Sequence, residues 1–308
     1  MNILYGLNLA IFSAFFTLFS VEIGIALHFL FGNPDKLESM KKYISPIWEI
    51  TGTFAVFYVV NFIATFPSAI VIIGTAYVVP LLMAALLFIF RNAFLAYGVY
   101  YESGSRSRYL KIYGAATIIT AFFVIVVLSS AIGGYGFNMP NQIHLIQVLF
   151  NPFGISMFFA VALIALFVNS LIFNTERKAL YTLFGAAGIL WAVFAMRTYL
   201  SYSINGIVSN LPVLIISVAL LLVSLVFGVK RNRISSFLPF FFTFSAIVLF
   251  GFAVYPYWFG GTISSLNYLS STATGYFSSI ITVIGGTFVI VALLYFIRIV
   301  YLKQRGYK

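Results

Sequence analysis

The chain has 308 residues, of which 62% are hydrophobic and only 7% carry a formal charge. Soluble domains carry about 25% charged residues, so this composition excludes a soluble globular protein and indicates an integral membrane protein. The net charge of +11 does not point to nucleic acid, because the basic residues lie in short loops between apolar segments, where membrane topology accounts for them. The absence of cysteine excludes disulfides and thiolate-ligated metal sites.

The apolar segments are about 20 residues long or longer, which predicts an all-α membrane protein and not a barrel of shorter alternating strands. The first segment has no basic n-region, so we interpret it as a span and not as a signal peptide. Nine transmembrane helices are predicted, at residues 3–31, 47–73, 75–101, 110–133, 152–174, 178–200, 210–229, 235–257 and 275–302.

The loops between these spans alternate in charge. Every junction after an odd-numbered span is basic, and every junction after an even-numbered span is nearly neutral. The positive-inside rule therefore predicts an N-terminus outside and a C-terminus in the cytoplasm, in a multi-pass plasma-membrane protein. The basic residues that carry this pattern are Lys36, Lys41, Lys42, Arg106, Arg108, Lys111, Arg177, Lys178, Lys230, Arg231 and Arg233.

Three charged residues fall inside or at the edge of the first three spans. Glu22 and Arg91 lie past the middle of spans 1 and 3, and Glu49 lies near the start of span 2, so all three are expected toward the cytoplasmic side. A charge in hydrocarbon costs on the order of 3 kcal/mol or more, so such residues face a cavity or each other. Two interpretations stay open at this point: a structural ion pair, or a route for protons.

Catalytic and metal-binding patterns are scarce in this sequence. It has two histidines, His28 at the end of span 1 and His144 in an external loop, and neither has the neighbouring ligands that a haem or metal site needs. No HExxH, GxGxxG, GxxxxGK[ST] or GxSxG pattern occurs. We therefore expect no catalytic residue, no metal and no cofactor bound by this chain. A secondary transporter is the alternative, because intramembrane charge and many glycines are compatible with one.

Several motifs in chain order resemble subunit II of cytochrome bd-type quinol oxidases. "LFNPFG" at 149–154, with Asn151, Pro152, Phe153 and Gly154, is similar to the family's LNPFG signature at the start of the fifth span. "PIWE" at 46–49, with Trp48, resembles its PVWD motif. "VEIG" resembles its FDMG motif, and "LLFIFRNAFLAY" its arginine-bearing third span. Both expected aspartates are glutamates here, at positions 22 and 49, so the chain resembles a divergent member.

The resemblance implies a fold and a set of partners. The fold would be two four-helix bundles, here 1–133 and 152–257, with the ninth helix, 275–302, at the periphery. The partner would be subunit I, which carries haems b and d, oxidises quinol and reduces oxygen to water. Subunit II is haem-free in this family, and a bound quinone or lipid and a small single-span subunit are further alternatives. Glu49 would then be the entrance and Glu22 a later carrier of a proton pathway, with Arg91 tuning both.

Overall fold

The computed structural model describes the chain outside residues 1–2, 32–33, 101–105, 135–144, 173–177, 201–210, 230–237, 256–268, 272–273, 289–290, 292–294 and 296–308. Within the described residues, the regular secondary structure is helical, as the composition predicts. The helices are α1 (Ile3–Phe31), α2 (Pro34–Thr65), α3 (Pro67–Ala76), α4 (Val78–Tyr100), α5 (Arg106–Ile132), α6 (Leu145–Leu149), α7 (Pro152–Ile172), α8 (Lys178–Leu200), α9 (Leu211–Val229) and α10 (Leu238–Val254).

Six apolar stretches among the described residues are long enough to cross a membrane: Ile3–Phe31, Ile47–Thr65, Val78–Tyr100, Ser107–Ile132, Leu145–Ser170 and Ala179–Tyr199. Three shorter apolar stretches lie at Pro67–Ala76, Leu211–Val226 and Phe241–Val254. Residues 274–288, the start of the predicted ninth span, are also helical. The chain is therefore a multi-pass membrane protein, as predicted.

The second predicted span, 47–73, is wrong as one continuous helix. Helix α2 ends at Thr65, and α3 begins at Pro67. Between them Phe66 leaves the helical region, with φ −126° and ψ 62°. Proline has no N–H to donate and its ring crowds the preceding residue, so a helix ends before it and a new one begins with proline in the first turn.

Helix α1 lies at the centre of the described structure. It contacts α2, α5, α7 and α10, and 72% of its most apolar window is buried, against 22% for the windows in α2, α4 and α8. A Cβ at Gly24 would lie 2.5 Å from the backbone oxygen of Ala165 in α7. Only glycine permits this approach of two helix backbones, which is a common device for helix contact in membranes.

The buried surface of α1 also carries polar side chains: Asn8, Ser13, Thr17, Ser20, Glu22 and His28. Most of the hydroxyls bond back to their own helix, but Asn8 reaches another one. Its amide donates to Asn61 Oδ1 of α2 at 3.0 Å, and the Asn61 amide donates to the hydroxyl of Thr282. This uncharged network links α1, α2 and the segment 274–288.

The remaining described helices contact one another in chain order. Helix α4 packs on α5, α7 on α8, α8 on α9, and α9 on α10. The contacts of α1 and α5 with α7 join these two groups. As a result, the cytoplasmic halves of α1, α4 and α5 enclose a space in which charged side chains can meet.

Candidate functional site

The site begins with the two charged residues that sit deepest in the apolar spans. Arg91 Nη1 of α4 donates to Glu22 Oε1 of α1 at 2.6 Å, and both side chains are 0% exposed. The structure thus brings together the two side chains that the sequence placed at a similar depth. A buried ion pair of this kind is retained only when both charges stay paired, because either alone would be an uncompensated charge in a medium of low dielectric constant.

A tyrosine that the sequence analysis did not single out completes this pair. The Tyr113 hydroxyl of α5 donates to the same oxygen, Glu22 Oε1, at 2.6 Å. The guanidinium carbon of Arg91 lies 4.2 Å from the centre of the Phe88 ring, which adds a cation–π contact. The only signal of Tyr113 in the sequence is a phenol within an apolar stretch, and the interfacial aromatic belt accounts for most such residues.

The hydrogen-bonding capacity of this cluster is only half used. Among the described residues, Glu22 Oε2, Arg91 Nε and Arg91 Nη2 are buried and have no hydrogen-bond partner. Two donors therefore converge on one carboxylate oxygen, while the other oxygen and two further N–H groups have none. We call Glu22, Arg91 and Tyr113 the carboxylate site.

Glu49, the third charged residue of the prediction, lies elsewhere. Its side chain is exposed on α2, and it makes no hydrogen bond or ion pair with any residue that the structure describes. It precedes an open groove of about 600 Å³ on the same helical face, lined by Gly52, Thr53, Val56, Phe57, Val60 and Gly285. Arg91 therefore contacts one of the two predicted carboxylates and not the other.

The motif tryptophan next to Glu49 has a clear structural partner. Trp48 Nε1 donates to Asn92 Oδ1 at 2.6 Å, which fixes α2 against α4. Asn92 directly follows Arg91, so this bond and the carboxylate site hold opposite sides of the same turn of α4. Sequence reasoning missed Asn92, because an amide beside an intramembrane arginine has no pattern of its own.

The other predicted motif, residues 151–154, starts α7. Asn151 Oδ1 accepts from the Phe153 N–H at 3.0 Å and caps the helix, and Pro152 occupies the first helical position. Phe153 is buried. A Cβ at Gly154 would lie 3.3 Å from Val126 Cα of α5, so the glycine allows close packing. These four residues position α7 and are not near the carboxylate site in the chain of contacts described above.

His28 belongs to a separate buried cluster. Its ring nitrogens contact the Gly24 carbonyl at 2.9 Å, the Asn169 amide at 2.8 Å and the Tyr181 hydroxyl at 3.2 Å. Both nitrogens are thus engaged by protein groups. Among the described residues, no group of three or more histidine, aspartate or glutamate side chains could hold a metal ion.

Comparison with known proteins gives a family match across most of the chain. The family model "Cytochrome bd terminal oxidase subunit II" matches residues 1–300. A "Putative cytochrome bd menaquinol oxidase subunit II" from Bacillus subtilis (strain 168) is 28% identical over 133 residues. That segment is 42% of this chain and spans only 38% of the length of the relative.

The fold also matches a solved structure. A chain in the structure of bd oxidase from Geobacillus thermodenitrificans superposes with a TM-score of 0.74 at 18% sequence identity. The match covers 97% of this chain and 98% of that one. The arrangement of helices is therefore shared over nearly the whole length of both proteins.

Proposed function

Since this chain belongs to the cytochrome bd terminal oxidase subunit II family, we propose that it is the haem-free subunit of a quinol:oxygen oxidoreductase. Its partner is a subunit I that carries haems b and d, oxidises quinol and reduces oxygen to water. In this proposal the chain forms two four-helix bundles and a peripheral ninth helix, with the N-terminus outside and the C-terminus in the cytoplasm. It stabilises subunit I and performs no catalytic step of its own.

The residues of this chain support a haem-free role. A haem needs an axial ligand, and here the described histidine, His28, has both ring nitrogens in contact with protein groups. The haems therefore belong to the partner, where they supply the electron transfer to oxygen. A quinone, a lipid or a small single-span subunit bound to this chain is compatible with the proposal, and the groove beside Glu49 is open enough to contact any of them.

The second part of the proposal is a cytoplasmic proton route through this chain. Reduction of oxygen to water consumes protons, so buried groups must bring them in from water. The observation that carries this proposal is the buried carboxylate site: Glu22 is paired with Arg91, yet one of its oxygens is unpartnered. Ionisable residues at such depth in membrane proteins commonly mark proton or ion pathways.

In this route Glu49 is the entrance and Glu22 the later carrier. Glu49 is exposed in the isolated chain, so it can exchange protons with cytoplasmic water or with groups of a partner that covers this face of α2. Arg91 acts directly on Glu22, because it is bonded to that carboxylate. Its effect on Glu49 is a longer-range electrostatic one that transmits through the low-dielectric interior.

The test is the purified complex with Glu49→Gln or Glu22→Gln. We expect oxygen reduction with saturating quinol to slow by about tenfold or more in each, since general acid–base groups contribute on the order of 10²-fold. The visible spectrum of the haems and the subunit ratio should not change. Thr53→Val is the matched control for position 49, because it removes a polar group one turn away on the same face without removing a titratable one.

Three outcomes separate the alternatives. Unchanged turnover in both glutamine variants would reject the proton route and leave a purely structural subunit. Loss of haem or of subunit I would show that the glutamates serve assembly. Coupled solute uptake by the chain alone in liposomes would instead support the secondary transporter.

A further inference from the structure

The carboxylate site contains more hydrogen-bonding groups than its three side chains use among themselves. Oε1 of Glu22 accepts from both Arg91 Nη1 and the Tyr113 hydroxyl, each at 2.6 Å. Oε2 of the same carboxylate, and Nε and Nη2 of Arg91, have no partner among the described residues. Both side chains are fully buried. One acceptor and two donors therefore remain, on side chains that are already in contact.

This combination has a specific chemical meaning. Buried polar atoms are satisfied in the great majority of cases, and ordered water is the usual partner where protein groups are missing. A buried ion pair is stable only if its remaining lone pairs and N–H groups are also hydrogen-bonded. Water fits the unused groups, because it accepts from a guanidinium N–H and donates to a carboxylate oxygen. A further anion does not fit, since Glu22 already balances the charge of Arg91.

We propose that Tyr113 is a positioning residue that, with Arg91, holds Glu22 through Oε1, so that Oε2 faces ordered water bound by the Nε and Nη2 groups of Arg91. Oε2 is then the oxygen that exchanges protons. This inference rests on the proposed proton route, which it deepens by naming the reacting atom and its immediate proton donor. Neither the tyrosine nor the water is suggested by the sequence motifs.

The proton balance at this site is simple. A proton from the water chain adds to Oε2 and makes the carboxyl neutral, while Arg91 and Tyr113 keep their own protons. When the proton passes on, it leaves from the same oxygen to water and the carboxylate is restored. Oε1 takes no part in the transfer, because two donors already occupy it. Removing the phenol would free Oε1 and let the carboxyl rotate, so that proton exchange would no longer be confined to one oxygen.

The test is infrared difference spectroscopy on the purified two-subunit complex, between buffers of different pH. Arg91 and Tyr113 are the charged or titratable side chains that contact Glu22 among the described residues. The carboxyl C=O band that disappears in Glu22→Gln is assigned to Glu22. In Tyr113→Phe we expect that band to shift, because the carboxyl loses a hydrogen bond. Turnover should fall by about threefold to tenfold with the haem spectrum unchanged.

Water is tested in the same experiment by changing to heavy-oxygen water. O–H stretching bands that shift with this label, and that are absent in both Glu22→Gln and Tyr113→Phe, would belong to water at this site. Tyr109→Phe is the matched control, since Tyr109 lies one turn earlier in α5 and its ring packs on Phe94 and Tyr97 instead. It should leave the Glu22 band and turnover as they are.

The inference and the proposed function fail in different ways. A Glu22 band that does not move in Tyr113→Phe, or the absence of label-sensitive water bands, would overturn the inference even if Glu22→Gln slows turnover. If no Glu22 band appears at any pH, the exchange at Oε2 is rejected. If the band shifts as expected but Glu22→Gln turns over normally, the hydrated site exists and the proton route is what fails.

Discussion

The interior of α1, α4 and α5 and the outward face of α2 each hold one of the two matched glutamates, and they treat it in opposite ways. Glu22 is 0% exposed and bonded to two donors, whereas Glu49 is exposed beside an open groove. A carboxylate that is buried with its counter-charge is held by this chain alone. One on an outward face acquires its environment from whatever covers that face. The comparison teaches that the two residues depend on different molecules for their chemistry.

The largest effect should come from separating the ion pair. Arg91→Met leaves the Glu22 carboxylate buried without its counter-charge, which costs about 3–5 kcal/mol, so most of the assembled complex should be lost. Glu22→Met combined with Arg91→Met removes both charges and should recover assembly, because apolar replacement of a whole buried pair is often neutral or stabilising. Haem content and size-exclusion chromatography measure assembly.

The double variant also sharpens the functional side of the comparison. We expect it to assemble and still reduce oxygen at least tenfold more slowly than the unmodified complex, since it has no carboxylate at position 22. Full turnover in the double variant would show that the pair serves packing only. An unassembled double variant would mean that the loss in Arg91→Met has another cause than the unpaired charge.

A smaller effect should distinguish the two regions by their access to water. Because the sequence has no cysteine, a single introduced thiol can be labelled selectively in this chain. Glu49→Cys should react with a water-soluble maleimide added to inside-out vesicles at least tenfold faster than Ser20→Cys, since Ser20 is buried on α1. Labelling is followed by the mass of this subunit after separation from its partner.

The direction of labelling matters as well as its rate. Reaction of the thiol at position 49 only from the opposite, outer side would contradict the cytoplasmic placement of this residue. Equal, slow reaction at both positions in the complex but not in the isolated chain would show that a partner shields the α2 face.

The smallest effect concerns the bond that holds α2 near its charged end. Trp48→Phe removes the hydrogen bond to Asn92 and should cost about 1 kcal/mol, which is about 2 °C in the melting temperature of a protein of this size. Asn92→Ala should cost a similar amount. Together they should cost little more than either alone, because both remove one shared bond. Fully additive costs would mean that the two residues stabilise the protein independently.

Sequence reasoning reached the fold class, the family and the meeting of two charges. The family match confirms the resemblance drawn from the motifs. The meeting of Glu22 and Arg91 was accessible because depth along a straight helix follows from residue count, and an intramembrane charge has few stable places to go. The roles of the matched residues in proton movement stay predictions.

The rest depended on tertiary structure. The break at Phe66 was visible only as a proline in an apolar run, and such prolines are tolerated within membrane helices when neighbours compensate. Whether Glu49 is buried depends on the rotation of α2, which a uniformly apolar helix does not reveal. Tyr113 and Asn92 gained their roles from helices that precede or adjoin them in space, and no spacing in the sequence connects them.

The central position of α1 has a consequence for how the protein is made. This helix precedes the others in the chain, yet its partners α7 and α10 are synthesised more than a hundred residues later. Until they arrive, its intramembrane glutamate and asparagine would face lipid, where polar groups are costly. The first helix to enter the bilayer is thus among the last to be enclosed. Biogenesis of this protein must therefore shelter α1 while translation continues, and an insertase that holds polar helices is the kind of factor suited to do so.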